Sequence, residues 1–264
     1  MLYILLGVDS RASYNVCQGK RPETELSSLA DWASREGKEV GVVTTTRLTH
    51  ATPAAMYAKS ANRKWEADTS TPEGCQDIAS QLVSSLQEGK INLALGGGRR
   101  NFQTTAAQGG VRADRDLLEE FKASGGTVLN TLDDLQRWDY TNSTLGVFSS
   151  SNMEWEMVRA RGEVVEPSLT EMTRQAITKL QRSKAGFVLM VEGGRIDHAH
   201  HKNQAKKALV ETLELERAVE AALSLTRREE TLIIVTADHR FVFLYEIIDG
   251  INVLQPRHHH ERIP

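Results

Sequence analysis

The sequence lacks long hydrophobic segments: no apolar stretch approaches the roughly 18 to 20 residues that a transmembrane helix needs. Residues 1–6 have neither a basic start nor an apolar core long enough for a signal peptide, so we expect neither a leader nor an anchor in this sequence. Basic runs are missing beyond pairs such as Lys206-Lys207, and the 264 residues carry a formal net charge of -3. This pattern argues against nucleic-acid binding and favours small molecules as partners.

Cysteine is scarce as well. Cys17 and Cys75 are the two cysteines of the chain, and they lie far apart without any CxxC spacing. They are therefore either two buried thiols or the two halves of one disulfide.

Short apolar, β-branched runs alternate with helical patterns along the chain. The expected buried strands are 39–45, 91–95, 127–129, 145–148, 187–191 and 232–236. The expected helices are 22–36, 76–88, 115–123, 168–182 and 206–225. This alternation predicts an α/β fold in which helices cover both faces of a mainly parallel sheet, and the absence of repeats or low-complexity linkers favours one domain.

Two of the expected helices carry additional local signals. Helix 168–182 opens with a capping box between Ser168 and Glu171. Helix 206–225 has an apolar stripe that we expect to pack in the core, formed by Ala208, Thr212, Leu215, Val219 and Ala222.

The segment 191–201 has the densest chemistry in the chain. It holds two carboxylates, three histidines and two glycines directly after the apolar run 186–190. Asp197 and His201 are four residues apart, so a helical turn puts both side chains on one face. A carboxylate with an imidazole is a zinc-type donor set. One such pair is more typical of a polar loop, but three histidines with two acids favour a metal site.

A second pair, Asp238-His239, follows the apolar run 232–236. On its own such a pair is equally typical of a structural cap. Sites in parallel sheets gather at the carboxyl ends of strands, so this pair is expected near Glu192 and the 191–201 segment. Together these groups offer enough ligands for more than one divalent ion, and two metals can clamp a displacement at phosphorus.

A series of segments follows the order and spacing of one enzyme family: GVVTTTRLTHATPAAMYAKSANRKW, EGCQDIASQL, ALGGGRR, EPSLTEMT, FVLMVEGGRIDHAHH, ETLELERAV and LIIVTADH. On these segments the chain resembles the animal-type alkaline phosphatases, which are zinc and magnesium phosphomonoesterases. The resemblance implies a three-layer α/β sandwich. It also implies hydrolysis of phosphate monoesters through a phosphoserine in the complete enzyme, with two zinc ions and a magnesium ion as cofactors.

The resemblance also implies a set of metal ligands. They are Asp197 and His201 for the first zinc, Asp238 and His239 for the second zinc, and Thr52 and Glu192 for magnesium. His50 and His198 match histidines that lie beside these ligands and would orient them. Arg63 matches the arginine that grips the substrate phosphate, a task suited to a planar guanidinium because it can bind two oxygens at once.

Further expectations concern the parent protein. Cys17 and Cys75 match positions that are bridged in the animal enzymes, which favours one disulfide and an extracellular or cell-surface location. The resemblance implies a homodimer and a lipid anchor that attaches it to a membrane. Asn142-Ser143-Thr144 is a glycosylation sequon that a secreted chain could use, although such triplets also occur by chance.

The chain departs from the family at both ends. The nucleophilic serine of the family is expected upstream of this sequence and is therefore absent; Ser10 imitates its motif, but its spacing to Cys17 and His50 aligns it with a later region. The resemblance covers 1–239 and ends at His239, which leaves 240–264, including His258, His259 and His260, as an unmatched tail. The main hypothesis is therefore an incomplete copy of an alkaline phosphatase, and the alternative is a non-catalytic, phosphatase-like protein that binds metal or phosphate.

Overall fold

The computed structural model describes residues 7–8, 24–107 and 109–239, together with the backbone of two later strands. The strands of the main sheet are β1 (Glu39–Arg47), β2 (Leu93–Gly97), β3 (Thr127–Leu129), β4 (Thr144–Val147) and β5 (Phe187–Glu192). The later strands, β6 (Phe243–Ile248) and β7 (Ile251–Pro256), pair with each other in antiparallel fashion. Cys17, Ser10 and the histidines 258–260 lie outside the described residues.

The helices lie between and after these strands. They are α1 (Leu29–Arg35), α2 (Ala51–Ala54), α3 (Ile78–Gln87), α4 (Leu117–Ala123), α5 (Leu132–Gln136), α6 (Glu156–Arg159), α7 (Leu169–Leu180), α8 (Arg195–His201) and α9 (Ala205–Leu225). The predicted capping box of α7 is confirmed: the Glu171 amide donates to Ser168 Oγ at 3.1 Å, and the Ser168 amide donates to Glu171 Oε2 at 2.8 Å. Among the described helices, none is both long and apolar enough to cross a membrane.

The main sheet has the strand order β3-β4-β2-β1-β5, and every neighbouring pair in it is parallel. Apolar side chains of α1, α3 and α4 pack in the core on one face of the sheet, and those of α5, α7 and α9 pack on the other. Parallel strands need crossover helices, and these helices cover both faces. The predicted α/β class, with helices on both faces of a parallel sheet, is therefore confirmed.

Two elements differ from the sequence-based expectation. The run 232–236 forms no strand among the described residues, and Leu232 and Ile234 are 84% and 75% exposed. Strand propensity favours a pleated, half-buried surface only where a neighbouring strand supplies one. The buried face of α9 is also shifted from the predicted stripe. Ala208 is buried and Leu215 packs against the core as predicted, but the other buried side chains are Glu211, Glu214, Ala218 and Ala221.

A buried ionic network around Arg112 ties the loop before α4 to the start of α3. The Arg112 side chain is fully buried and donates through Nη1 and Nη2 to both carboxylate oxygens of Asp77, at 3.0 and 3.1 Å. It also donates to Asp114 Oδ1 and Oδ2, each at 2.9 Å. Burial opposes the charge, but the hydrogen bonds to Asp77 and Asp114 outweigh it and raise the pKa of Arg112. Asp77 in turn caps α3 by accepting from the Ser80 amide.

Removing Arg112 should destabilise the fold strongly. Arg112→Ala leaves the buried Asp77 carboxylate without its bidentate partner, so we expect the free energy of unfolding to fall by about 3–5 kcal/mol. Arg112→Lys keeps the charge but cannot form the planar, bidentate contact, so its effect should be intermediate. Urea denaturation followed by circular dichroism measures both.

The matched control is Arg137→Ala, which removes an exposed ion pair with Asp133 in which the side chains are 79% and 60% exposed. Exposed pairs contribute little, and the expected change is below about 1 kcal/mol. Equal unfolding midpoints for the Arg112→Ala and Arg137→Ala variants would contradict a stabilising role for the network.

Candidate functional site

Glu192 lies at the carboxyl end of β5, opposite Thr44 of β1 in the parallel register. Its Oε2 accepts hydrogen bonds from Thr44 Oγ1 at 2.5 Å and from Thr46 Oγ1 at 3.2 Å, and Thr52 also hydrogen-bonds to this carboxylate. Burial raises the pKa of Glu192, and the threonine hydrogen bonds offset part of that effect. A Cβ at Gly194 would come within 2.4 Å of Thr46 Cγ2, so the turn after β5 requires glycine there.

The helix α2 begins directly after the loop that follows β1, with His50 as its N-cap. The Nε2 atom of His50 lies 3.0 Å from Arg63 Nη2, and the His50 ring meets the His198 ring edge-on with centroids 5.5 Å apart. Burial lowers the pKa of His50 to about 4, and the positive charges of Arg47 and Arg63 add to this effect. Because a guanidinium can only donate, a neutral His50 accepts at Nε2 and carries its proton on Nδ1.

Asp197 and His201 lie one turn apart on α8, as predicted, with 3.4 Å between Asp197 Oδ1 and His201 Nε2. The Nε2 atom of His239 lies 3.5 Å from the same oxygen and also 3.5 Å from Asp238 Oδ2. Asp197 Oδ1 is buried and has no hydrogen-bond partner among the described residues. The two predicted metal pairs therefore meet at Asp197, and the Asp238 charge contributes to the raised pKa of Glu192.

A cationic and aromatic cluster lies beside α8. The Arg195 guanidinium sits 3.6 Å from the centroid of the Trp155 ring, and its Nη1 lies 3.3 Å from His198 Nδ1. Lys207 also faces the Trp155 ring, at 4.6 Å. Burial lowers the pKa of His198 to about 4, with Arg195 as the largest nearby charge. His198 is therefore neutral near pH 7 in this setting, like His50.

The sequence analysis did not identify several residues that lie beside the predicted site residues. Thr44 and Thr46 carry a signal that could have found them, because a run of three threonines ends a buried strand. Arg47 and Glu66 carry none: their bidentate contact, with Nε–Oε2 and Nη2–Oε1 distances of 2.7 Å, joins residues whose spacing suggests no pairing. Thr49 Oγ1 donates a further hydrogen bond to Glu66, at 2.6 Å. The Arg47 guanidinium is therefore already paired with Glu66.

The donor groups suit divalent cations. Two donors on a tetrahedral zinc ion lie roughly 3.4 Å apart when each bond is about 2.0–2.1 Å, which matches the two distances at Asp197 Oδ1. A buried carboxylate oxygen without a hydrogen-bond donor is also unfavourable unless a cation compensates it. In the part of the chain that the structure describes, no group of three or more histidine, cysteine, aspartate or glutamate side chains is placed to hold a metal ion. The donors therefore form an open, partial set.

Comparison with known proteins identifies relatives among the alkaline phosphatases. The family model described as alkaline phosphatase matches residues 4–257. The membrane-bound alkaline phosphatase of Bombyx mori is 40% identical over 261 residues, which cover 91% of this chain and 47% of that protein. The human tissue-nonspecific isozyme of alkaline phosphatase is 40% identical over 262 residues, which cover 89% and 48% of the two chains.

A solved structure agrees with these relatives. The crystal structure of Thermus thermophilus alkaline phosphatase superposes with a TM-score of 0.67 and 32% identity over 83% of this chain and 42% of that chain. The chain spans about half the length of the curated relatives it matches. The family match itself covers nearly all of the sequence. The chain therefore belongs to the alkaline phosphatase family.

Proposed function

We propose that this protein hydrolyses phosphate monoesters with zinc and magnesium ions held at the carboxyl edge of its parallel sheet. The observation that carries the proposal is the environment of Asp197, whose buried Oδ1 lies between the imidazoles of His201 and His239 without a hydrogen-bond donor. This oxygen lies beside the elements that carry the predicted phosphate ligand, because His198 on the same helix contacts His50 and His50 contacts Arg63.

The predicted ligands divide into two kinds of donor. Asp197, His201, Asp238 and His239 offer carboxylate and imidazole groups, which suit zinc. Glu192 and Thr52 offer only oxygen, which suits magnesium. When bound, such ions polarise the phosphoryl group and lower the pKa of a coordinated hydroxyl. The predicted roles of these residues rest on the family resemblance together with this donor chemistry.

Arg63 is proposed to hold the phosphate. Its contact with His50 engages Nη2 and leaves other N–H donors of the fork to bind two phosphate oxygens. The neutral His50 ring fixes the orientation of the guanidinium without neutralising its charge. In the overall reaction the bond from phosphorus to the ester oxygen breaks, a bond from phosphorus to a water oxygen forms, and the alcohol leaves with a proton.

We further propose that the protein works outside the cell or at its surface. The support is the family resemblance and the finding that Cys75 is not a free thiol in the part of the chain that the structure describes. The family resemblance predicts Cys17 as its partner, and this pairing stays a prediction. The homodimer and the lipid anchor stay predictions from the resemblance.

Removal of the α8 donors should weaken zinc binding and lower turnover together. For an Asp197→Ala, His201→Ala double variant we expect the zinc affinity to fall by about tenfold or more, since ligand sets lose affinity steeply when their members are removed. Isothermal titration with zinc gives the affinity, and p-nitrophenyl phosphate hydrolysis at alkaline pH with zinc and magnesium gives the activity.

The matched control is His200→Ala, which removes an imidazole from the same helix but not a predicted ligand. Its zinc affinity and turnover should match those of the unchanged chain. An unchanged zinc affinity in the double variant would refute the zinc assignment. Zinc binding that depends on Asp197 and His201, without turnover above the double variant, would favour the non-catalytic, metal- or phosphate-binding alternative.

Arg63 should dominate the affinity for phosphate. Hydrogen bonds to charged groups contribute about 1.5–3 kcal/mol, so Arg63→Ala should weaken the binding of inorganic phosphate by roughly 10- to 100-fold. The phosphate affinity of Arg63→Lys should lie between that of the original protein and that of Arg63→Ala, because an ammonium group cannot form a two-oxygen contact. Isothermal titration of the metal-loaded protein with inorganic phosphate measures this.

Lys64→Ala is the control for the loss of a positive charge, because Lys64 is an exposed neighbour of Arg63. Its phosphate affinity should stay within a factor of about two of the original, since exposed charges are screened by salt. If Arg63→Ala binds phosphate as tightly as Lys64→Ala, Arg63 does not hold the phosphate.

A further inference from the structure

The loop that leads into β4 carries Asn142-Ser143-Thr144, which is the one Asn-x-Ser/Thr triplet of the 264 residues. We propose that Asn142 is an N-glycosylation site. The inference rests on the proposed extracellular function, because the modification takes place in the secretory pathway. It concerns a surface remote from the metal donors.

The Asn142 side chain is available for modification. It is exposed, and its amide forms no hydrogen bond or ion pair with the described residues. The surrounding loop is held by its own contacts: the Thr141 amide and hydroxyl both donate to Asp139 Oδ1, at 3.1 and 2.9 Å. The Thr144 hydroxyl donates to the main-chain oxygen of Asn142 at 2.9 Å. A sugar on the amide would therefore displace no contact of the folded loop.

The burial of Thr144 determines whether glycosylation takes place before or after folding. Thr144 is the first residue of β4 and is fully buried in the folded chain, where its amide donates to the Asn92 main-chain oxygen at 3.0 Å. An enzyme that recognises the hydroxyl of the third triplet residue cannot reach it after β4 has joined the sheet. Glycosylation at Asn142 must therefore precede the pairing of β4, as the chain enters the secretory compartment.

The donor of the transferred sugar is an oligosaccharide linked to a lipid pyrophosphate. The amide nitrogen of Asn142 forms a bond to the anomeric carbon of the first sugar, an N-acetylglucosamine. The bond between that carbon and the pyrophosphate oxygen breaks, the amide loses one proton to a base of the transferase, and the lipid pyrophosphate leaves.

The glycan would not obstruct the proposed active site. Asn142 precedes the amino end of β4, whereas Glu192 is the last residue of β5 and α8 starts shortly after it. Since the strands of the main sheet are all parallel, the amino end of β4 and the carboxyl end of β5 lie at opposite ends of the strands. A modified Asn142 is thus compatible with phosphate binding at the carboxyl ends.

The test is cell-free translation of the full chain behind a cleavable leader in the presence of endoplasmic-reticulum microsomes. The protease-protected product should migrate as a species with one glycan, which endoglycosidase H removes. Asn142→Gln and Thr144→Val should each abolish the shift, whereas Thr144→Ser, which restores a hydroxyl at the third position, should retain it. Asn130→Gln, which alters an asparagine outside any such triplet, should also leave the shift unchanged.

Two outcomes overturn the proposal: a protease-protected chain without any glycan, or a glycan that persists in Asn142→Gln. The readout does not depend on folding, because the transfer precedes it. It is equally independent of phosphatase activity, so a failure of the phosphomonoesterase proposal leaves this result interpretable. A failure of glycosylation likewise leaves the zinc and phosphate measurements untouched.

Discussion

The parallel pairing of β1 with β5 is the constraint on which the site depends. Its register sets Thr44 opposite Glu192 and allows the 2.5 Å hydrogen bond between Thr44 Oγ1 and Glu192 Oε2. A slip of one residue would turn the Glu192 side chain to the other face of the sheet. Because α2 and α8 start shortly after these two strands, the same pairing brings His50 and Asp197 to a common edge.

The charged groups at the carboxyl ends of β1 and β5 provide different environments for anions and for cations. Arg47 is paired with Glu66 through a bidentate contact, while burial lowers the pKa values of His50 and His198 to about 4 and keeps both rings neutral near pH 7. Arg63 keeps its full positive charge against a neutral imidazole, which suits an anion. Asp197 Oδ1 remains without a hydrogen-bond donor, which suits a cation. The proposed phosphate position and the proposed metal positions therefore lie within a few side chains of each other.

The local parts of this arrangement were predictable. The strands at 39–45 and 187–191 follow from apolar runs, and the i, i+4 spacing of Asp197 and His201 indicates a shared helical face. The two glutamates on the buried face of α9 were not predictable from the apolar pattern. Glu211 and Glu214 are buried there because their carboxylates accept amide hydrogen bonds from Glu156 and Thr170, which belong to distant parts of the chain.

By itself, the sequence determined the alternation of strands and helices, the donor types of segment 191–201 and the family to which the chain belongs. These properties depend on local periodicity and residue chemistry, which a linear sequence carries completely. Only the tertiary structure decided that Arg63 faces His50, that His239 joins His201 at Asp197, and that 232–236 stays exposed. Such contacts depend on strand register and on which surfaces find a partner, and no local pattern in the sequence encodes either.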